Sequence, residues 1–313
     1  MTETNSKKKF LTGAARIVLP LVFGAACLYY ILTTFEWTAI WRSLGSVNIA
    51  LFLASSLFAT LAFWLFRALR WAVLLKDEGL KISFVRLYLY TAVTVGFANF
   101  TPFQSGEALK VELFRRYGGD RFSGYNYFFL EKIFDLAVVA ALAFNAVFVL
   151  FKFEFGNRLQ LAIVGLIAAL AVSMTAIILI LKKRAIKGLG ASPKTINLVA
   201  AMLCTVFSWM IMIFGWLLMF RSAAVHLTFF ETASVISLTT IIGILSFVPG
   251  AVGVTEVSVA VLLSRIGYDP VTAQTGAVMI ALYSLVILIL SAIHLAILKF
   301  IKSREPKPSA KNA

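Results

Sequence analysis

The stretch Leu87–Arg116, LYLYTAVTVGFANFTPFQSGEALKVELFRR, decides how this chain folds. Its first 20 residues, through Gly106, are uncharged, and a hydrocarbon core of roughly 30 Å takes about 20 helical residues to cross. Both flanks are basic. Arg67, Arg70, Lys76, Lys81 and Arg86 precede the run, and Lys110, Arg115, Arg116 and Arg121 follow it. Lys and Arg in short loops mark the cytoplasmic side, so a single crossing would strand one basic flank outside. The conflict disappears if the chain enters from the cytoplasm, turns near Pro102 and returns to the same face.

Other uncharged runs recur on both sides of this stretch, at Ile17–Phe35, Val47–Phe66, Leu136–Phe151, Leu159–Leu181, Ile196–Phe220, Thr232–Thr255 and Val271–Leu298. Of 313 residues, 61% are hydrophobic and 14% charged, against about 25% charged in a soluble domain. Helices with no polar face do not belong in water. The net charge of +15 sits between apolar runs rather than on a continuous basic face, which argues against nucleic-acid binding. Cys27 and Cys204 lie in separate apolar runs and form no CxxC pair, so neither a disulfide framework nor a metal site is expected. His226 and His294 suggest no metal constellation either, and no cofactor is expected. Lys7-Lys8-Lys9 followed by an apolar run resembles a signal peptide. That run continues to Phe35, so a retained first helix is expected.

Charge counting fixes an expected topology. The segments 1–16, 67–86, 107–121, 182–194 and 299–313 hold 23 of the 29 Lys and Arg residues. The segments 36–46, 152–158, 221–231 and 256–269 hold five. Both flanks of Thr232–Thr255 are poor in basic residues, so this run should enter from outside, turn near Pro249 and leave to the outside. The expectation is an all-α polytopic inner-membrane protein with about six full spans and two re-entrant helical hairpins. Residues 1–15 form a basic cytoplasmic N-terminus, 16–300 one transmembrane domain, and 301–313 a basic cytoplasmic tail.

The two turns match each other. Gly96, Pro102 and Gly106 fall 147 residues before Gly243, Pro249 and Gly253, giving G-x5-P-x3-G twice in one register. Entry from opposite faces makes this an inverted repeat, with elements about 84–151 and 231–298, a plan common among secondary transporters. Proline breaks a helix and glycine frees the backbone. Broken backbone at membrane depth persists only in protein or beside a wet cavity, so two breaks would frame a polar site. Bulky replacements at Gly106 or Gly253 should fill the space between the hairpins.

Ionisable groups within apolar runs are costly and default to functional candidates. Glu107 follows Gly106, and Glu256 stands three residues after Gly253. Glu131, Lys132 and Asp135 lie at the mouth of a long run, with Glu131 and Asp135 on one helix face. Arg67 and Arg70 close the second span. Each has a structural alternative: Arg67 and Arg70 can snorkel to headgroups, Glu131, Lys132 and Asp135 can form an ion pair between helices, and Glu107 and Glu256 can cap their helices. Trp209 and Trp216, on an uncharged span, read as lipid-facing or core.

In order along the chain stand Arg67-x-x-Arg70-Trp71-x-x-Leu74-Leu75, Pro102-x3-Gly106-Glu107-x2-Lys110, Glu131-Lys132-x2-Asp135 and Pro249-Gly250-x2-Gly253-x2-Glu256. Together they resemble the flippase-like transmembrane domain of lysylphosphatidylglycerol synthases and the stand-alone proteins built from it, over about residues 15–300. The family often has arginine at the place of Lys132. The resemblance implies movement of an amphiphilic lipid between leaflets and brings Lys110 into the candidate set. Full synthases add a soluble aminoacyl-transfer domain; the sequence ends at Ala313, so aminoacyl transfer is not expected. A headgroup phosphate would meet Lys132, Arg67 and Arg70. Glu107, Glu131, Asp135 and Glu256 would contact cationic headgroup parts or carry protons. The rival is a scaffold or accessory subunit of a lipid- or glycan-modifying enzyme. A membrane-embedded enzyme has no nucleophile–base pair to support it. Membrane lipids are the expected partners, and a homo-oligomer or a lipid-modifying enzyme partner stays open.

The topology predicts labelling patterns. In a background lacking Cys27 and Cys204, a cysteine at Tyr117 should react with impermeant thiol reagents from the cytoplasm, and one at Gly267 from outside. Labelling at 117 from outside alone would turn the first hairpin into a crossing and abolish the inverted repeat.

Overall fold

Backbone amides in hydrocarbon must be satisfied within their own segment, and the α-helix does this locally. The computed structural model describes residues 3–98, 101–151, 165 and 194–303, and among these it contains helices and no strand. In chain order they are α1 Glu3–Thr34, α2 Trp37–Gly45, α3 Ile49–Leu74, α4 Phe84–Ala98, α5 Leu109–Arg116, α6 Arg121–Phe151, α7 Thr195–Ser222, α8 Phe229–Ser246, α9 Val254–Ile266 and α10 Pro270–Ser303. The expected span Leu159–Leu181, basic segment 182–193 and the tail beyond Ser303 lie outside the described residues. Four described helical stretches are long and apolar enough to cross a membrane: Ile49–Glu78, Thr195–Ser222, Phe229–Ser246 and Pro270–Ile301. Val18–Thr34 with Trp37–Gly45, bent by 79°, makes a fifth if counted as one span. The protein is an all-helical, polytopic membrane protein.

Polar residues start the helices where the sequence places them. Asn48 Oδ1 accepts from Leu51 N at 2.9 Å at the head of α3. At α8, Thr228 Oγ1 accepts from Glu231 N at 3.3 Å and Glu231 Oε2 accepts from Thr228 N at 2.8 Å, a reciprocal pair that satisfies two orphan donors. The first turn of α7 is served from another element. Asp77, in the 3₁₀ turn Lys76–Glu78, accepts from Lys194 N at 3.1 Å and Asn197 Nδ2 at 2.7 Å. Beside it, the Tyr127 hydroxyl of α6 donates to Glu78.

Small residues set the closest helix approaches. The most extensive packing joins α3 to α7, where Gly215 lies directly against Ala59. α4 packs on α10, α6 on α8, and α9 on α10. Gly96 was expected to act at a turn, and so was Gly243. Both instead lie inside helices, α4 and α8. Gly96 serves a crossing: a Cβ there would overlap the Ser291 side chain of α10. Gly243 faces Ala251, with 3.1 Å left for a Cβ.

Both prolines do sit at breaks. Pro102 opens the 3₁₀ segment Pro102–Ala108 between α4 and α5, and Pro249 opens Pro249–Ala251 between α8 and α9. The two short segments touch each other. Their glycines differ. A Cβ on Gly106 would lie 3.1 Å from Ala98 Cα, so Gly106 lets its segment rest on the end of α4. Gly253 has φ +81° and abuts α1, where a Cβ would come within 3.1 Å of Cys27 Cβ and 3.3 Å of the Gly24 carbonyl oxygen. A bulky residue at 253 would therefore push α1 away, and would not fill a space between the two breaks as expected.

The Gly96 contact predicts a rescue. Gly96→Ala should lower the melting temperature of the detergent-solubilised protein, since overpacking costs about 1–3 kcal/mol. Adding Ser291→Gly should recover most of the loss. No rescue would show that Gly96 matters for its backbone rather than for this crossing.

Candidate functional site

Glu107, Lys110, Glu131 and Arg70 are all polar or charged side chains with no more than 1% of their surface exposed. An isolated charge in such a place costs several kcal/mol, so each must find a counter-ion. The chain brings seven of the eight candidate residues into one network. Arg67 and Arg70 come from α3, Glu107 from the 3₁₀ segment before α5, Lys110 from α5, and Glu131, Lys132 and Asp135 from α6.

The pairing crosses elements. Arg67 Nη1 contacts Glu107 Oε1 at 3.2 Å, and its Nη2 contacts Asp135 Oδ2 at 3.0 Å. Arg70 Nη1 contacts Asp135 Oδ1 at 3.0 Å, and its Nη2 contacts Glu131. Lys110 Nζ bridges Glu107 Oε2 at 3.2 Å and Glu131 Oε1 at 3.1 Å. Lys132 Nζ meets Glu107 Oε1 at 2.9 Å. The structural alternative, ion pairing of Glu131, Lys132 and Asp135 between helices, fits this geometry: the three share α6 and take their partners from α3, α5 and the 3₁₀ segment before α5.

Neutral donors complete the network. Trp71 Nε1 donates to Glu131 Oε2 at 2.6 Å, and Trp209 Nε1 donates to Asp135 Oδ1 at 3.2 Å. Thr205 Oγ1 accepts from Arg70 Nη1 at 2.9 Å. Aromatic faces line the cations: the Arg67 guanidinium carbon stands 4.5 Å from the Phe63 ring centre, and Lys110 Nζ 5.6 Å from that of Trp71. Such contacts strengthen when desolvated. Trp209 and Thr205 escaped the sequence reading, which took the tryptophan as core or lipid-facing. Nothing local marks them, since their partners lie 74 and 135 residues away.

The sequence placed Glu131, Lys132 and Asp135 at the mouth of the apolar run that begins at Leu136, and the helix extends well to either side of them. They stand mid-helix: Asp135 is 14 residues into α6, about 21 Å along the axis at 1.5 Å per residue. Arg67 and Arg70 do not snorkel outward, their side chains being 5% and 0% exposed. The network opens toward the surface chiefly at Lys132, whose side chain is 25% exposed, beside the outward-facing Phe129, Ile133 and Leu136.

Glu256 is the candidate that stays apart. Its Oε2 accepts from Gly253 N at 2.7 Å, capping α9 as its structural alternative proposed. Among the described residues the network holds four cations against three carboxylates, a surplus of one positive charge. In addition, Arg67 Nε and Arg70 Nε are buried without a hydrogen-bond acceptor among the described residues. The arrangement can therefore hold an anion.

Arg70 is the central strut. Arg70→Met leaves Glu131 and Asp135 each one cation short, and breaking a buried pair costs about 3–5 kcal/mol. The melting temperature should fall sharply, and Arg70→Lys should restore only part of it, because an ammonium cannot fork to two carboxylates. An unchanged melting temperature in Arg70→Met would show that the network does not hold the fold.

No curated protein was found to match the chain. The family model for the lysylphosphatidylglycerol synthase TM region matches residues 17–292, a range that contains the whole charge network and both helical breaks, and the chain belongs to that family.

Proposed function

We propose that this protein is a lipid carrier that moves an amphiphilic, phosphate-bearing lipid between the leaflets of the inner membrane. Its family is a membrane domain linked to lipid modification or transport. The observation that carries the reading is the positively biased charge network, buried among apolar helices beside a broken one. A headgroup phosphate would enter it at Lys132 while the tail stays in lipid, and both termini would lie in the cytoplasm. The protein acts here as a carrier rather than an enzyme, needing no cofactor and no nucleic acid.

The pattern of helix contacts supports an inverted repeat of re-entrant hairpins. Let α4, α5 and α6 correspond to α8, α9 and α10. The contact of α4 with α10 then exchanges with that of α8 with α6, and α5 with α6 exchanges with α9 with α10; the two 3₁₀ breaks touch each other. This is the pattern a pseudo-two-fold axis through the breaks produces. Rocking of one repeat against the other would alternate access.

A second reading has its own support. Glu107, Glu131 and Asp135 each contact at least two cations, as expected of a scaffold whose charges only lock helices together. Lys132→Met separates the two, because Lys132 is the most exposed member and its loss should least disturb the fold. In liposomes carrying a fluorescent anionic phospholipid, the carrier reading predicts that leaflet exchange slows at least about tenfold, the worth of one charge-assisted hydrogen bond. Exchange at the wild-type rate in a well-folded variant would favour the scaffold.

A further inference from the structure

The three carboxylates of the network are not held alike. Glu131 and Asp135 belong to the interior of α6, and each accepts an indole N–H besides its cations, from Trp71 and Trp209. Removing either carboxylate would strand a buried indole donor, which is costly. Glu107 has no such tie. Its donors among the described residues are cations alone: Arg67 at 3.2 and 3.3 Å, Lys110 at 3.2 Å and Lys132 at 2.9 Å. It also stands in the 3₁₀ segment at the break, where hydrogen-bond geometry is poorer than in an α-helix. Were Glu107 to swing out, Arg67 would keep Asp135 and Lys110 would keep Glu131.

Among the described residues three cations and no neutral donor surround this carboxylate, an arrangement suited to an anion. We propose that Glu107 is a built-in placeholder: it fills the anion site of the empty carrier, and a lipid headgroup phosphate displaces it. The inference rests on the carrier reading and adds an autoinhibitory contact to it. The ligand must bring its own negative charge to Arg67, Lys110 and Lys132, so a phosphate-bearing lipid fits and an uncharged lipid does not. Displacing Glu107 also moves the 3₁₀ segment that touches Pro249–Ala251, which links headgroup binding to the contact between the two breaks.

Binding measured by native mass spectrometry tests this without requiring transport. The full chain, wild type and Glu107→Gln, is titrated with short-chain phosphatidic acid, with diacylglycerol of the same chains, and with inorganic phosphate. If the placeholder fills its site about nine-tenths of the time, its removal tightens phosphatidic acid binding about tenfold. Diacylglycerol binding should not change. Glu131→Gln removes the same charge but leaves Glu107 in its site, so it should tighten binding much less than tenfold. Unchanged or weaker phosphatidic acid binding in Glu107→Gln overturns the proposal, as does equal tightening in Glu131→Gln or toward diacylglycerol. Tightening toward inorganic phosphate alone overturns the lipid as occupant. If Glu107→Gln fails to fold, Glu107→Asp keeps the charge but shortens its reach. Tighter phosphatidic acid binding there, smaller than tenfold, supports the placeholder, and wild-type binding overturns it. Lipid exchange by the wild type together with untightened binding in these variants would reject the placeholder and leave the carrier standing.

Discussion

Seven charged side chains within an apolar helical bundle impose the constraint around which this protein is organised. In a low-dielectric interior an unpaired charge is prohibitive, and a paired one is tolerable when most of its remaining donors and acceptors are met. No single element can meet that demand. Arg70 needs Glu131 and Asp135 from α6 and Thr205 from α7. Lys110 needs Glu107 beside it and Glu131 across from it. The network therefore dictates which helices adjoin, and the small residues make the approach possible. Gly215 against Ala59 draws α7 to α3, which brings Trp209 and Thr205 within reach of α6 and Arg70.

The broken helix is part of the same solution. A continuous helix from Phe84 to Arg116 would carry Glu107 and Lys110 onward along the axis of α4. The 3₁₀ segment Pro102–Ala108 instead turns the chain so that both residues face Arg67 and α6. The break leaves backbone donors to satisfy, and Thr101 Oγ1 accepts from Gly106 N at 2.9 Å. At the other break the chain spends its acid differently. Glu256 satisfies Gly253 N and joins no charge network among the described residues, so two acids at similar places in a repeated motif do different jobs.

Much of this was legible in the sequence, and what was not has a physical cause. Hydropathy reports what an uncharged run can cross, and it marked α1, α3, α4, α6, α7, α8 and α10. The charge conflict around Leu87–Gly106 pointed to a break at Pro102, and the register match pointed to one at Pro249. Costly charges named Arg67, Arg70, Glu107, Glu131, Lys132 and Asp135 as candidates, and the family resemblance added Lys110. Their pairing was out of reach, since spacing along the chain reports only neighbours one or two turns away. Lys132 meets Glu107 from 25 residues off, and Trp209 meets Asp135 from 74. Gly253 misled for a related reason. Its positive φ marks it as a turn residue, but its neighbour is α1, more than 200 residues earlier. Gly96 and Gly243 shared the repeated motif yet serve helix packing.

The motif that repeats at 147 residues has the charge network beside only one of its two occurrences. At the offset of 147 residues that relates the two proline breaks, Glu107, Lys110, Glu131, Lys132 and Asp135 fall on Val254, Val257, Val278, Met279 and Leu282. The second half thus answers a charged network with hydrocarbon. Under the carrier reading this asymmetry has a mechanical meaning. A charge network resists deformation because each displaced pair must be remade, whereas apolar contact is non-directional and is kept in more than one arrangement. The charged half then supplies a cradle in which Glu131 and Asp135 keep their pairs with Arg67, Arg70 and Lys110 while Glu107 gives way. The apolar half supplies the surface that moves across it, and the contact between the two breaks is the hinge at which the halves meet. A single positively biased cradle also fixes where a headgroup sits throughout the cycle, so that what alternates is the side from which the cradle is reached.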